Sequence, residues 1–231
     1  MTVNNPAVCL VSGGLDSAVA AALAREAGHA IYAISFNYGQ RHRHELRAAR
    51  RVAYWLNAVD HKIIRLELDK IGGSALTSDI PVPKLNGDGH HLEPVGGVPV
   101  TYVPARNLIF LSIASAWAET LGAEKLVIGA NAIDYSGYPD CRQDFLDAFM
   151  EAARLGTQIG RKGRGPRVWA PLVRMTKAEI IKEGERMGLN FGITSSCYDP
   201  APNGRPCGEC DSCRIRAKGF AEAGVIDSTR R

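Results

Sequence analysis

Two stretches of this 231-residue chain combine residue types and spacings that do chemistry. The first is Ser12-Gly13-Gly14-Leu15-Asp16-Ser17, between an apolar run at 7–11 and an Ala-rich segment at 18–27. Paired glycines open backbone conformations closed to other residues and let an anion reach the main chain. Successive N–H groups there form a nest, and the free N–H groups of a following helix add positive potential. Ser12 and Ser17 offer hydroxyl donors. Asp16 repels phosphate unless it holds Mg²⁺ or caps the helix, so the pattern points to a nucleotide–metal complex. No lysine follows the glycines and no G-x-G-x-x-G is present, which removes the Walker A and dinucleotide readings. A plain strand–turn–helix corner is the alternative. The second stretch is Cys197 followed by Cys207-x-x-Cys210-x-x-Cys213. Clustered thiols in a chain without secretory features indicate metal rather than disulfides. The spacing fits a tetrahedral Cys₄ zinc site, with an iron–sulfur cluster as the other reading. Four cysteine ligands leave no open position, so the metal is expected to be structural.

Single residues add to these. Gln40-Arg41-His42-Arg43-His44 reads as a solvated helix start or as an anion site served by Arg41 or His42. His44-Glu45 begins like the zinc-protease motif, but Ala48 stands where the second histidine belongs. In Val103-Pro104-Ala105-Arg106-Asn107, proline and a capping Asn107 account for a helix start. Arg106 is left over, and a guanidinium there suits a carboxylate or phosphate. Lys177 falls in a helix's first turn, where the dipole disfavours a cation; it serves an anion or is simply exposed. The loop at 131–142 carries Tyr135, Ser136, Tyr138, Asp140 and Cys141, as a specificity loop or a plain surface loop would. His90-His91 reads as an exposed pair in the long 69–100 loop. The basic segment 161–167 reads as an RNA contact, a lid or a surface loop.

These residues need elements to position them. Strands are expected at 7–11, 30–36, 62–67, 125–129 and 168–170, with helices at 18–27, 42–56, 108–121, 145–155 and 177–187. Thr176 and Glu179 form a capping box for the last of these. Alternation at this spacing predicts a parallel sheet covered on both faces, with ligands at the carboxyl ends of its strands. The glycine loop, residues 36–40 and Gly129 all belong at that edge. Hydrophobic residues at 45% and charged residues at 23% suit a globular protein. No apolar run reaches 18 residues and residues 1–6 lack a signal-peptide pattern, so the expectation is a cytoplasmic protein without membrane contact. A net charge of +4, scattered among acids, fits a nucleotide cleft as well as RNA.

The SGGLDS stretch resembles the pyrophosphate-binding loop of the ATP pyrophosphatases, which adenylate a substrate and release pyrophosphate. Taken with FNYGQRH at 36–42, VPARN at 103–107, DYSGYPDCR at 134–142 and the four-cysteine tail, nearly the whole chain resembles the 7-cyano-7-deazaguanine synthases of queuosine precursor biosynthesis. Asn37 departs from the aspartate expected in many relatives. The resemblance implies an α/β fold: a doubly wound, parallel-sheet, adenine nucleotide hydrolase-like domain over 1–190 and a zinc-binding helical tail over 191–231. It implies conversion of 7-carboxy-7-deazaguanine and ammonia to the nitrile, driven by ATP with Mg²⁺. A carboxylate resists ammonia because oxide is a poor leaving group. Adenylation supplies a good one and yields the amide; a second adenylation, on the amide oxygen, permits elimination. On this resemblance Leu10, Val11, Ser12, Gly13, Gly14, Leu15, Asp16, Ser17, Phe36 and Gly129 hold ATP, and Arg41, His42, Arg106 and Lys177 stabilise developing charge. Tyr135, Ser136, Tyr138, Asp140 and Cys141 face the deazapurine, and Cys197, Cys207, Cys210 and Cys213 hold Zn²⁺. A homodimer is implied, without direct nucleic-acid binding. The chain shows no amidotransferase nucleophile or domain, so ammonia is expected from outside. The rivals are a tRNA-modifying adenylating enzyme and a non-catalytic zinc-stabilised module.

Overall fold

The computed structural model describes residues 5–41, 44–84, 97–131, 133 and 137–230. Five strands, β1 (Pro6–Leu10), β2 (Ala30–Asn37), β3 (Asp60–Arg65), β4 (Lys125–Val127) and β5 (Arg167–Trp169), form one sheet in the order β3-β2-β1-β4-β5. Every pairing is parallel, with Cys9 opposite Ala33 on one side and Val127 on the other. A strand buried on both faces needs apolar residues at every position, and β1, the central strand, is such a run. Alternate residues serve opposite cores. Ala7, Cys9 and Val11 pack with α1 (Leu15–Glu26), while Val8 and Leu10 pack with α3 (Arg106–Leu121). This is the doubly wound arrangement expected from the alternation of strands and helices.

The remaining helices are α2 (His44–Trp55), α4 (Gln143–Gly156), the one-turn α5 (Gln158–Arg161), α6 (Lys177–Arg186) and α7 (Asp211–Ala223). The alanines of α1 let it lie close to the sheet, and six of its residues are alanine or serine with almost no exposure. At the start of α6 both halves of the capping box form: Thr176 Oγ1 accepts from the Glu179 amide, and Glu179 accepts from the Thr176 amide. The tail packs into the same core. Its Phe191 and Phe220 meet edge to face at 4.9 Å, and α7 lies along α6. No helix among the described residues is long and apolar enough to cross a membrane.

Three expectations are corrected. The third strand is Asp60–Arg65, two residues earlier than its apolar centre suggested, because its pairing with β2 starts at Asp60 opposite Tyr32, before its first apolar residue. The helix expected at 108–121 begins at Arg106, and its N-cap is Ala105 in a left-handed conformation (φ 55°). Asn107 is therefore not a cap. It is drawn inward, its backbone N–H donating to Asp140 Oδ2 at 3.0 Å and its side chain to the Asp140 carbonyl at 3.0 Å. Nor does Asp16 cap α1; Gly14 holds that position without a side-chain cap bond.

Candidate active site

In doubly wound sheets the crevice opens where strand order reverses, outside the carboxyl ends. Here that point lies between β1 and β4. A cavity of about 210 Å³ opens there, lined on one side by Leu10, Val11, Ser12, Gly14, Leu15, Asp16, Ser17 and Gly129. Two glycines are dictated by close approach. Gly13 has φ 92°, and a Cβ there would lie 2.7 Å from the Ala49 amide nitrogen of α2. A Cβ on Gly129 would lie 2.8 Å from the Ser17 nitrogen, so β4 and the loop meet backbone to backbone.

The loop's own hydroxyls occupy its donors. Ser12 N–H donates to Ser17 Oγ at 3.1 Å, Gly14 N–H to Ser12 Oγ at 3.2 Å, and the two hydroxyls are 3.0 Å apart. These oxygens stand where anion oxygens would be received. Behind the loop, Lys177 Nζ donates to both oxygens of Asp16 at 2.7 Å. Lys177 is buried at 5% exposure, which excludes the exposed reading and explains a lysine against the helix dipole: its counter-charge is on another element.

The opposite wall is aromatic and centred on Arg106. Phe36 stacks on Phe110 at 3.9 Å, and Tyr38, Tyr138 and Tyr198 complete the wall. The Arg106 guanidinium lies 6.0 Å from the centre of the Tyr38 ring. Desolvation opposes its charge, but Tyr38, Asp140, Tyr138 and Tyr198 outweigh this and hold it firmly protonated. Tyr138 shares a 2.7 Å hydrogen bond with Thr101. Burial, reinforced by Asp140, pushes the Cys141 thiol up to about 12, against the opposing pull of Arg106 and Asn107. Asp140 is buried behind this wall, holding Asn107, and faces a separate surface recess with Arg142 and Phe145.

Arg41 does not line the main cavity. It is exposed, donates to the Ile80 carbonyl at 3.0 Å, and borders a side recess shared with Tyr38, Glu45 and Tyr198. His42, Tyr135, Ser136 and the His90-His91 pair lie outside the described residues. Sequence reasoning missed Glu45, Asn107, Ser195, Ser196 and Tyr198 as cavity residues. Glu45 sits in the first turn of α2, beside the loop that its backbone helps to shape. Its neighbour on the chain, His44, drew notice as a failed metal motif, whereas burial was the informative property. Burial pushes the Glu45 carboxyl up to about 7, against the opposing pull of Arg106.

The cysteine cluster positions part of this wall. All four Sγ atoms lie within 4.8 Å of one another, with Cys197–Cys207 at 3.5 Å and Cys207–Cys213 at 4.0 Å. A tetrahedron with zinc–sulfur bonds of about 2.3 Å has edges of about 3.8 Å, so the donor set fits such an ion. Part of the 69–100 loop is fastened here: Lys84 bridges to Cys210 and pairs with Asp199 at 2.6 Å, while Ala75 and Val82 pack on the sulfurs. Tyr198 follows Cys197 directly, and the Ser195 amide donates to the Gly13 carbonyl at 2.8 Å. The tail thus touches the glycine loop itself.

Comparison with known proteins agrees with this geometry. Residues 6–224 match the family described as queuosine biosynthesis protein QueC. The chain is 56% identical over 225 residues to the 7-cyano-7-deazaguanine synthase of Ectopseudomonas mendocina, covering 97% of each chain. It is 57% identical over 225 residues to that of Azotobacter vinelandii, again covering 97% of each. Among solved structures it is similar in fold to a 4-thiouridine synthetase in complex with RNA and bound ATP (TM-score 0.54, 19% identity, 97% of this chain and 52% of that one). It is likewise similar to the NMN synthetase from Francisella tularensis (TM-score 0.50, 18% identity, 98% and 81%). At such identities these two likenesses concern the fold alone. The chain belongs to the QueC family of queuosine biosynthesis proteins.

Proposed function

We propose that this protein is an ATP-dependent 7-cyano-7-deazaguanine synthase that takes 7-carboxy-7-deazaguanine and ammonia to the nitrile through adenylated acid and adenylated amide. The observation that carries the reading is one cavity with a glycine loop of amides and serine hydroxyls on one wall and an aromatic, arginine-centred wall on the other. ATP phosphates replace the serine hydroxyls at the loop's N–H groups, with the adenine toward Leu10, Val11, Phe36 and Gly129. The planar deazapurine lies against Tyr138 and Cys141, and its carboxylate turns toward Arg106. Carboxylate oxygen then attacks the α-phosphorus and pyrophosphate departs. Lys177, adjacent to the loop, supports the negative charge building there. Mg²⁺ is commonly held by one or two carboxylates plus substrate phosphates, and Asp16, a carboxylate on the cavity wall, is the residue that would hold it. Such an ion neutralises phosphate charge when bound. The cysteine cluster holds Zn²⁺ in a structural role. The reading includes a cytoplasmic homodimer of twice 24.9 kDa, without direct nucleic-acid binding, and light scattering tests its size.

The deciding experiment measures pyrophosphate release from Mg·ATP and ammonium, with and without 7-carboxy-7-deazaguanine, and follows products by mass. Pyrophosphate release accompanied by nitrile, only with the deazaguanine, is expected. Release that needs tRNA instead would overturn the reading.

A further inference from the structure

Conversion of an acid to a nitrile removes protons from nitrogen as well as oxygen from carbon. When ammonia attacks the acyl adenylate, the adduct sheds one N–H proton and AMP departs with its electron pair, leaving the amide. After the second adenylation the nitrogen sheds its two remaining protons. The electron pair of the last N–H bond becomes the second C–N π bond as the C–O bond to AMP breaks. Some group beside the substrate must accept those protons.

The carboxylates and other titratable groups at the cavity can be compared directly. Asp16 is ion-paired to Lys177 through both oxygens and, on the proposed reading, is the carboxylate that would hold the metal. Asp140 is bonded to Asn107 and lies behind the wall. Cys141, Tyr38 and Tyr138 are all pushed toward their protonated forms by burial. Glu45 differs from all of these. It lines the main cavity and also the side recess bordered by Tyr38, Tyr198 and the exposed Arg41. Among the described residues its carboxyl has no hydrogen-bond partner and no ion pair within contact distance; Arg106 acts on it from farther away. It is therefore a carboxyl with lone pairs unspent, in the same cavity as Arg106 and bordering a recess that reaches the exposed Arg41. It sits on the first turn of α2, clamped to Gly13 by backbone packing, so it is held by a rigid element.

We propose that Glu45 is the proton acceptor for the nitrogen in both halves of the reaction, passing each proton to water through the Tyr38–Arg41 recess. The inference rests on the nitrile-forming reading. Its proton affinity near neutrality suits the task, since a base works best when its pKa lies near the operating pH.

Glu45→Gln keeps the shape of the side chain and removes the acceptor. The carboxylate-dependent exchange of pyrophosphate into ATP needs no N–H proton and is expected to stay within about threefold of wild type. Conversion of supplied 7-amido-7-deazaguanine to the nitrile is expected to fall on the order of 10²-fold. Starting from the amide removes the titration of ammonia itself. The wild-type rate should then decline as pH is lowered through about 7, a limb absent from Glu45→Gln. Formate should restore part of the rate to Glu45→Ala. Unchanged nitrile formation in Glu45→Gln, or parallel loss of exchange and nitrile formation without formate rescue, would overturn the assignment. A wild-type protein that performs neither exchange nor nitrile formation would instead overturn the reading beneath it.

Discussion

Lys177 and Asp16 form a buried ion pair at the floor of the cavity, one partner 5% and the other 20% exposed. Such pairs contribute little net stability when intact, but removing one partner leaves a buried charge and costs about 3–5 kcal/mol. Lys177→Met should therefore lower stability by about 3 kcal/mol, read by urea unfolding, and slow adenylation on the order of 10²-fold, read by pyrophosphate exchange. Gly129→Ala tests a different property of the same floor. Its new methyl would press on the Asp16–Ser17 backbone, and a displacement of the loop by even 1 Å costs about 10²-fold in rate. The expected signature is a raised KM for ATP, measured by initial rates, with metal content unchanged. At this scale the sequence was readable where a residue's local setting was anomalous. Paired glycines beside serines, and a lysine where a helix disfavours one, both marked the site. Glu45, Asn107 and Tyr198 have ordinary local settings, and only their tertiary neighbours make them cavity residues.

Among the elements, α7 is tied to the rest of the tail by one buried arginine. Arg216 donates to both oxygens of Asp227 at 2.7 and 2.9 Å, to Thr194 Oγ1 at 2.9 Å and to the Phe191 carbonyl at 3.3 Å. Arg216→Ala should cost about 3–5 kcal/mol and loosen the tail first, which hydrogen exchange of α7 would reveal. The pair also sets an acid sensitivity. Burial works against the Asp227 charge, but Arg216 and the Thr229 amide and hydroxyl outweigh it and hold its carboxyl below the usual carboxylate range. The unfolded state thus binds this proton more readily, so the contribution is complete above about pH 4 and is lost as pH falls through the folded value. Acid titration of Arg216→Ala should show that component missing. Most elements were legible from apolar runs and cap chemistry, and the Thr176–Glu179 box formed as written. The start of α3 was not, because Ala105 in a left-handed conformation gives no signal and Asn107 was claimed by Asp140, 33 residues away.

For the whole molecule, the cysteine cluster, the tail and the cavity are one mechanical unit. On the proposed zinc-bound reading, removing the ion by a chelator withdraws a contribution on the order of 10 kcal/mol, comparable to a domain's entire net stability of about 5–15 kcal/mol. Because Ser195 bonds to Gly13 and Tyr198 adjoins Cys197, nucleotide affinity should disappear together with the tail's order. Titration calorimetry with an ATP analogue, before and after chelation and after zinc is restored, checks this; retained affinity in metal-free protein would separate the two. Alternating strands and helices made the parallel sheet predictable, but not its order, since connection lengths permit several arrangements of the outer strands.

That order has a kinetic consequence. The central strand is paired on one side with β2, its near neighbour in the chain, and on the other with β4, joining residue 9 to residue 127. Closing so long a loop is slow and comes after local pairing has been rewarded. A nascent chain can therefore build β1, β2 and the glycine loop long before Gly129 arrives to complete the cavity. In refolding from denaturant, fluorescence of an ATP analogue should rise only in the last phase, after most far-UV signal has returned.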